Sequence, residues 1–272
     1  MSILLGTPYI YNKNYCSNKS NVSTNKKEDI LSQLEKVFHK LGIQTQQIEY
    51  NKDKYTDICA ALWVRDMFVK IDDIYVLLPG TKNDGGIIRE NEYKTIENLF
   101  KKKLINYDEK SKIEGGDIIQ HKNTIFVGLN RRTNLKGLSF LKKHFNHKTF
   151  IQISHKALHL DCCFCILHNN IVLYSKKYIS NLPSYITSNY LCLDLETILG
   201  EKIDVCNLAA NFVIVNKDII TAYKRSFKPL YNFLELAGYK IHYVTFHRLQ
   251  KSGGGVRCLT QWIQYPKSQD FF

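Results

Sequence analysis

The chain lacks a second Cys-x-x-Cys pair: of the eight cysteines among its 272 residues, Cys16, Cys59, Cys162, Cys163, Cys165, Cys192, Cys206 and Cys258, just Cys162 and Cys165 have that spacing. The two paired ligand sets of a zinc ribbon are therefore missing, and reduced thiols are expected. Met1 to Gly6 has neither the basic nor the long apolar region of a secretory signal, and no apolar run reaches membrane-spanning length. A cytoplasmic location and no membrane partner are the expectations. A basic arm and zinc-finger spacing are also missing. The formal net charge of +13 comes from scattered lysines and arginines, so it favours anions in general and does not point to nucleic acid as the main partner. At 44% hydrophobic and 23% charged the chain can build a sizeable core, and one domain over 1–272 is expected.

Among what is present, Lys251-Ser252-Gly253-Gly254-Gly255-Val256-Arg257-Cys258 stands out. Consecutive glycines allow positive φ and close backbone approach, and Arg257 beside Cys258 would favour a thiolate. The plainer alternative is a glycine turn leading into a strand with a small buried cysteine.

The hydrophobic pattern returns again and again to one unit. Ile3–Leu5 reads as a short buried strand, Tyr11–Asn25 as loop, and Lys27–Leu41 as a helix ended by Gly42. Hairpins follow at Met67–Ile71 with Ile74–Leu78, Asp117–Gln120 with Thr124–Val127, Leu160–Leu167 with Ile171–Tyr174, and Phe212–Val215 with Ile219–Ala222. Helices are expected over Glu90–Lys103 (Tyr93, Ile96, Leu99 and Phe100 inward), Asn134–His144 and Pro229–Ala237. Cys258–Ile263 begins a fifth strand that Ile3–Leu5 could partner. The units begin near residues 67, 118, 160, 211 and 258, a spacing that suggests a closed circular array of five α/β repeats.

Each unit opens on a polar residue within an apolar run: Asp66; Glu114 and Asp117; His159 and Asp161; Asn211; Cys258. Each has a structural role open to it, such as Asp66 pairing with Arg65 or Glu114 and Asp117 capping turns. A circular array would gather all of them around one cavity. Several carboxylates beside a thiol raise its pKa but suit a planar cation rich in N–H donors. A guanidinium is such a cation. Its central carbon can be attacked by cysteine while an imidazole handles the protons.

Ile113-Glu114-Gly115-Gly116-Asp117, Val127-Gly128-Leu129-Asn130-Arg131-Arg132-Thr133-Asn134, Leu158-His159-Leu160-Asp161 and Gly253-Gly254-Gly255-Val256-Arg257-Cys258 together resemble the guanidine-modifying superfamily of arginine deiminases, dimethylargininases, dihydrolases and amidinotransferases. The resemblance covers about residues 60 to 263. It implies a five-bladed α/β-propeller (the pentein fold), a Cys–His–Glu set and neither metal nor cofactor. By that match Cys258 is the nucleophile, His159 the general acid and base, and Glu114 its partner. Asp66 and Glu114 hold the guanidinium, with Asp117, Asp161 and Asn211 as further substrate contacts. Arg132 and Arg89 match arginines that grip a substrate carboxylate. The expected partner is a small guanidine, and homo-oligomers are compatible with the sequence.

Hydrolysis of the guanidinium C–N bond of arginine or a small derivative is the reading the resemblance favours. The alternatives are amidino transfer to an amine, a peptidylarginine or agmatine deiminase, and a basic binding protein that keeps the fold without catalysis. Asp161 stands where dimethylargininases tend to carry lysine, and Ser252 where arginine deiminases often carry a cation. A metal site at His159, Cys162, Cys163, Cys165 and His168 is not expected: on a strand, Cys163 and Cys165 share a face with Asp161, and all three cysteines read as small core hydrophobes.

Overall fold

The computed structural model describes residues 1–6, 24–48, 63–78, 90–105, 108, 110–203, 208–245 and 254–265, with the backbone alone at 24–29 and 90–93. The loop expected before residue 24, Tyr93's side chain, and Arg89, Ser252, Gly253, Cys16, Cys59 and Cys206 lie outside that description.

The described elements are, in order, β1 (Ser2–Leu5), α1 (Thr24–Lys40), β2 (Gln44–Gln47), β3 (Phe68–Ile71), β4 (Ile74–Leu77), α2 (Glu90–Leu99), β5 (Lys103–Ile105), β6 (Ile118–His121), β7 (Thr124–Leu129), α3 (Leu135–His144) and β8 (Thr149–Ser154). They continue with β9 (Phe164–Leu167), β10 (Ile171–Tyr174), α4 (Ser184–Asn189), β11 (Leu191–Asp194), α5 (Leu195–Leu199), β12 (Val213–Val215), β13 (Asp218–Ala222), α6 (Lys228–Leu236), β14 (Lys240–Val244) and β15 (Thr260–Gln264).

These strands form five three-stranded sheets of identical plan: β15-β1-β2, β3-β4-β5, β6-β7-β8, β9-β10-β11 and β12-β13-β14. In each, the middle strand pairs antiparallel with the inner strand and parallel with the edge strand. The first and last described strands share a sheet, as expected for Ile3–Leu5. The hairpin turns place Asp72, Asn169, Asn170 and Asn216 in the left-handed region, where Asn and Asp are tolerated best.

The chemistry of closure lies in the period-two alternation of the inner strands. Phe68 packs toward Leu4 and Ile96, whereas Val69 and Ile71 pack toward Ile118 and Val127. Ile119 turns the other way, onto Phe164 and Ile166. Cys165 and Leu167 then meet Phe212 and Ile219, and Val213 and Val215 meet Ile3, Leu5 and Trp262. Leu4 and Ile263 return to Phe68. Five apolar clusters thus join five neighbouring pairs of blades into a ring. An inner strand has no wet face, and for that reason it reads as a continuous apolar run. The fold is the five-bladed α/β-propeller expected from the sequence.

The helices cover the outside. Asn134 caps α3 by accepting from the Gly137 amide at 2.9 Å, and Lys142, Lys143 and His144 close its last turn. α2 ends at Leu99, earlier than expected, because Lys103 enters β5; Leu99 itself is exposed, while Ile96 and Phe100 are buried. The edge strands β2, β5, β8, β11 and β14 and the short helices α4 and α5 had no counterpart among the expected elements. Among the described residues no helix is long and apolar enough to cross a membrane.

Candidate active site

In four blades the inner strand is preceded by the same short 3-10 turn: Val64–Asp66, Gly115–Asp117, Leu160–Cys162 and Arg257–Leu259. The first touches the second and the fourth, and the second touches the third, so the turns form a rim. Asp66 ends its turn, Glu114 and His159 stand immediately before theirs, Cys258 is inside the last, and Asn211 lies two residues before β12. Equivalent chain positions thereby converge, as the repeat spacing suggested.

The imidazole of His159 is held between two carboxylates. Its Nε2 lies 2.5 Å from Glu114 Oε2, and its Nδ1 lies 3.7 Å from Asp66 Oδ1. Asp66 is itself fixed by the Gly116 amide, which donates to Oδ1 at 3.2 Å. Only glycine fits at 116, because a Cβ there would come within 2.7 Å of the His159 ring. Burial alone would push His159 down. The charges of Asp66, Asp117 and Glu114 and the Glu114 hydrogen bond outweigh it, so the group is held up to about 10. Glu114 would be raised by its own burial, but His159 and Arg132 hold it below the usual carboxylate value.

Cys258 is buried, and Asn211 Nδ2 donates to its Sγ at 3.3 Å. Burial, then the charges of Asp161 and Asp66, push its thiol well up, against the hydrogen bonds from Gly255 and Asn211. The expected help from Arg257 is not seen: that guanidinium points to Asp161 instead, with Nε 3.5 Å from Oδ2. Gly254 and Gly255 are absent from the positive-φ glycines and serve close approach, since a Cβ would lie 2.0 Å from the Trp63 ring and 2.4 Å from Asn211 Oδ1 respectively.

Other expected contacts stand elsewhere. Asp117 is fully buried behind the rim; Oδ2 accepts from the Thr133 hydroxyl at 2.7 Å, and Oδ1 accepts from the Leu160 amide at 2.8 Å and faces His155 Nε2 at 3.0 Å. Thr133 Oγ1 in turn accepts from the Glu114 amide at 3.1 Å. Asp117 thus ties the Glu114 turn to the His159 turn. Asp161 lies between Arg257 and Arg65, whose Nε is 4.0 Å away, so Arg65 does not act as Asp66's partner. Arg132 donates from Nη1 to both Glu114 oxygens at 3.0 Å, and its side chain is partly exposed. Thr133, His155 and Asn130, whose Oδ1 accepts from the Arg132 and Thr133 amides, were not singled out from sequence. The stretch Asn130–Asn134 carried the signal as an Asx turn.

Among the described residues, one group of three donors could hold a metal ion: Asp66, Glu114 and His159. A protonated imidazole has no lone pair to give a metal, and Arg132 already donates to both Glu114 oxygens, so a metal would have to displace a proton and a guanidinium. Cys162, Cys163 and Cys165 are instead core residues, as expected, although Leu160–Cys162 is a turn and the same-face argument for Asp161 does not hold.

A family-wide pattern described as arginine deiminase matches residues 92–189. The uncharacterized protein YkgA of Bacillus subtilis is 25% identical over 64% of this chain and 60% of its own length. An N(G),N(G)-dimethylarginine dimethylaminohydrolase of Pseudomonas aeruginosa is 25% identical over 67% of this chain and 68% of its own length. The bifunctional arginine dihydrolase/ornithine cyclodeaminase ArgZ of Synechocystis is 31% identical over 42% of this chain and 16% of its own length. In structure, the N-terminal domain of ArgZ superposes with a TM-score of 0.74 at 18% identity, covering 97% of this chain and 98% of that one. SxtG, an amidinotransferase from Microseira wollei, does so with a TM-score of 0.74 at 15% identity, covering 100% and 96%. The propeller, the motifs at its rim and these likenesses together support the guanidine-modifying superfamily.

Proposed function

We propose that this protein is a hydrolase of the guanidinium C–N bond of arginine or a small arginine derivative, of deiminase, dihydrolase or dimethylargininase type, working through a covalent intermediate on Cys258. The observation that carries the reading is the imidazole of His159 pinned between Glu114 and Asp66, on the same rim as a thiol that feels the charge of Asp66.

At rest the thiol is neutral and the imidazole protonated. A guanidinium bound by Asp66 and Glu114 brings a positive charge among the carboxylates that push the thiol up, so substrate binding favours release of the thiol proton to solvent. The thiolate attacks the guanidinium carbon. His159 gives its proton to the departing amine, and the C–N bond breaks to leave a thiouronium on Cys258. The now neutral imidazole takes a proton from water, the hydroxide adds to the same carbon, and the C–S bond breaks; the remaining hydroxyl proton passes to the departing sulfur, which restores the thiol and releases the ureido product. Asn211 steadies the sulfur in both charge states. Asp117 contributes by holding the two turns in register.

Arg132 occupies Glu114 in the absence of substrate. In this proposal the substrate's guanidinium replaces it there, and the displaced Arg132 becomes available to a substrate carboxylate. Free arginine is then favoured over agmatine, which has no carboxylate. The test is incubation with arginine, methylated arginines, agmatine and an arginine peptide, with and without glycine or ornithine as acceptor, followed by mass spectrometry. A ureido product and released ammonia or methylamine support hydrolysis. An amidino group recovered on the acceptor assigns transfer instead, and no product from any guanidine overturns the reading.

A further inference from the structure

Below the rim the propeller encloses a second space, to which every one of the five inner strands contributes lining. It is a mostly enclosed cavity of about 60 Å³ on the axis of the ring, and Asp66, Glu114, His159 and Cys258 do not line it. Its charged lining residues are Arg65 and Arg257. The remainder is largely aliphatic, with Gln120, Thr260 and Tyr265 as polar members.

Among the described residues the charges around this cavity do not balance. The two guanidiniums share one carboxylate, Asp161, which lies at 3.5 Å from one Nε and 4.0 Å from the other. Both Nε atoms and Asp161 Oδ2 are buried without a hydrogen bond. Arg65 donates once, from Nη1 to Gln261 Oε1 at 2.8 Å. The side chain of Arg257 makes no hydrogen bond among the described residues, and burial together with the Arg65 charge holds it down to about 10. A buried cation without its own counter-charge is costly, and the usual remedy is a counterion.

We infer that this axial cavity binds one small monovalent anion, seated against the guanidinium of Arg257 with Arg65 beside it. The volume holds a halide or a nitrate, given that one water takes about 30 Å³ of liquid. Two guanidiniums against one carboxylate leave one positive charge, which a monovalent ion balances and a dianion such as sulfate does not. Because the same arginines flank Asp161, which in turn sets the charge felt by Cys258, occupancy would reach the rim from below.

Thermal unfolding of the whole protein tests this, with nitrate, bromide or sulfate added at constant ionic strength. The expected result is a saturable rise with nitrate and bromide of about 3 °C, half complete in the millimolar range, and little with sulfate. Arg257→Gln should lose the anion-specific rise. Gln120→Glu, which supplies a fixed carboxylate to the cavity, should lose it too. Bromide-soaked crystals of the unaltered protein give a second readout: an anomalous peak against Arg257 is expected. A rise that is linear and equal for sulfate, a rise undiminished in both variants, or a cavity holding water only would overturn the inference.

Discussion

The two sides of the rim solve the burial of charge in opposite ways. On the side of β3, β6 and β9, His159 sits between Asp66 and Glu114, Glu114 also holds Arg132, and each charge touches an opposite one. On the side of β12 and β15, Cys258 is a neutral thiol whose described side-chain partner is a neutral amide, Asn211. One side is set in advance, whereas in the proposed mechanism the other gains its reactive charge only when a cation arrives. Under that proposal the carboxylates do double duty: they keep the thiol neutral at rest and receive the ligand that activates it.

The largest effect should come from the silent side. Cys258→Ala is expected to abolish turnover while circular dichroism and melting stay close to those of the parent, because a small buried side chain becomes a smaller one. Comparable turnover in this variant would sink the assignment of the nucleophile. On the charged side, His159→Asn should lower kcat by about 10²–10⁴-fold, the usual worth of general acid–base help. With an activated substrate the thiouronium should accumulate and be visible by mass spectrometry; a loss below about threefold would remove the imidazole from the chemistry. Asp66→Asn and Glu114→Gln each remove a charge-assisted bond of about 2–3 kcal/mol, so kcat/KM for guanidines should fall about 30- to 150-fold. Either variant melting early with normal kinetics would make that carboxylate structural and break the comparison.

The sequence showed the inner and middle strands clearly, and the reason is physical. Val69, Ile119, Cys165 and Val213 each belong to strands packed on both faces, so apolar runs and hairpin turns stand out. The edge strands were illegible because they are half wet and carry polar residues, as in Gln44–Gln47 and Lys103–Ile105. They also pair in parallel, without a hairpin turn to announce them. At the rim, residue type was legible and direction was not. Asp66, Glu114 and His159 converge, but Asp117, one turn along, faces backward onto Thr133 and His155. A 3-10 turn does not alternate as a strand does, so counting by twos misplaces its members. Nothing in the spacing of Arg132 shows that Glu114 is within its reach.

A gentler test leaves the site intact and changes only the pH. His159 is held up to about 10 in the folded protein against 6.5 as the ordinary value. The folded state therefore binds this proton more tightly than the unfolded one. The stability that follows is complete below about pH 6.5, declines as pH rises, and is gone above about 10. His159→Gln removes the contribution, so its melting temperature should fall furthest below the parent's near pH 6 and approach it toward pH 10. Glu114 runs the other way: held below its ordinary value, it adds stability above that value and loses it as acid protonates it, so the comparison is kept above pH 6. The thiol keeps its proton in the folded state but ionises near 9.0 in the unfolded chain, so Cys258→Ala should run parallel to the parent from pH 6 to about pH 8 and lose stability less steeply than the parent above that. A gap between parent and His159→Gln that stays constant from pH 6 to pH 10 would mean the imidazole is not held as a cation.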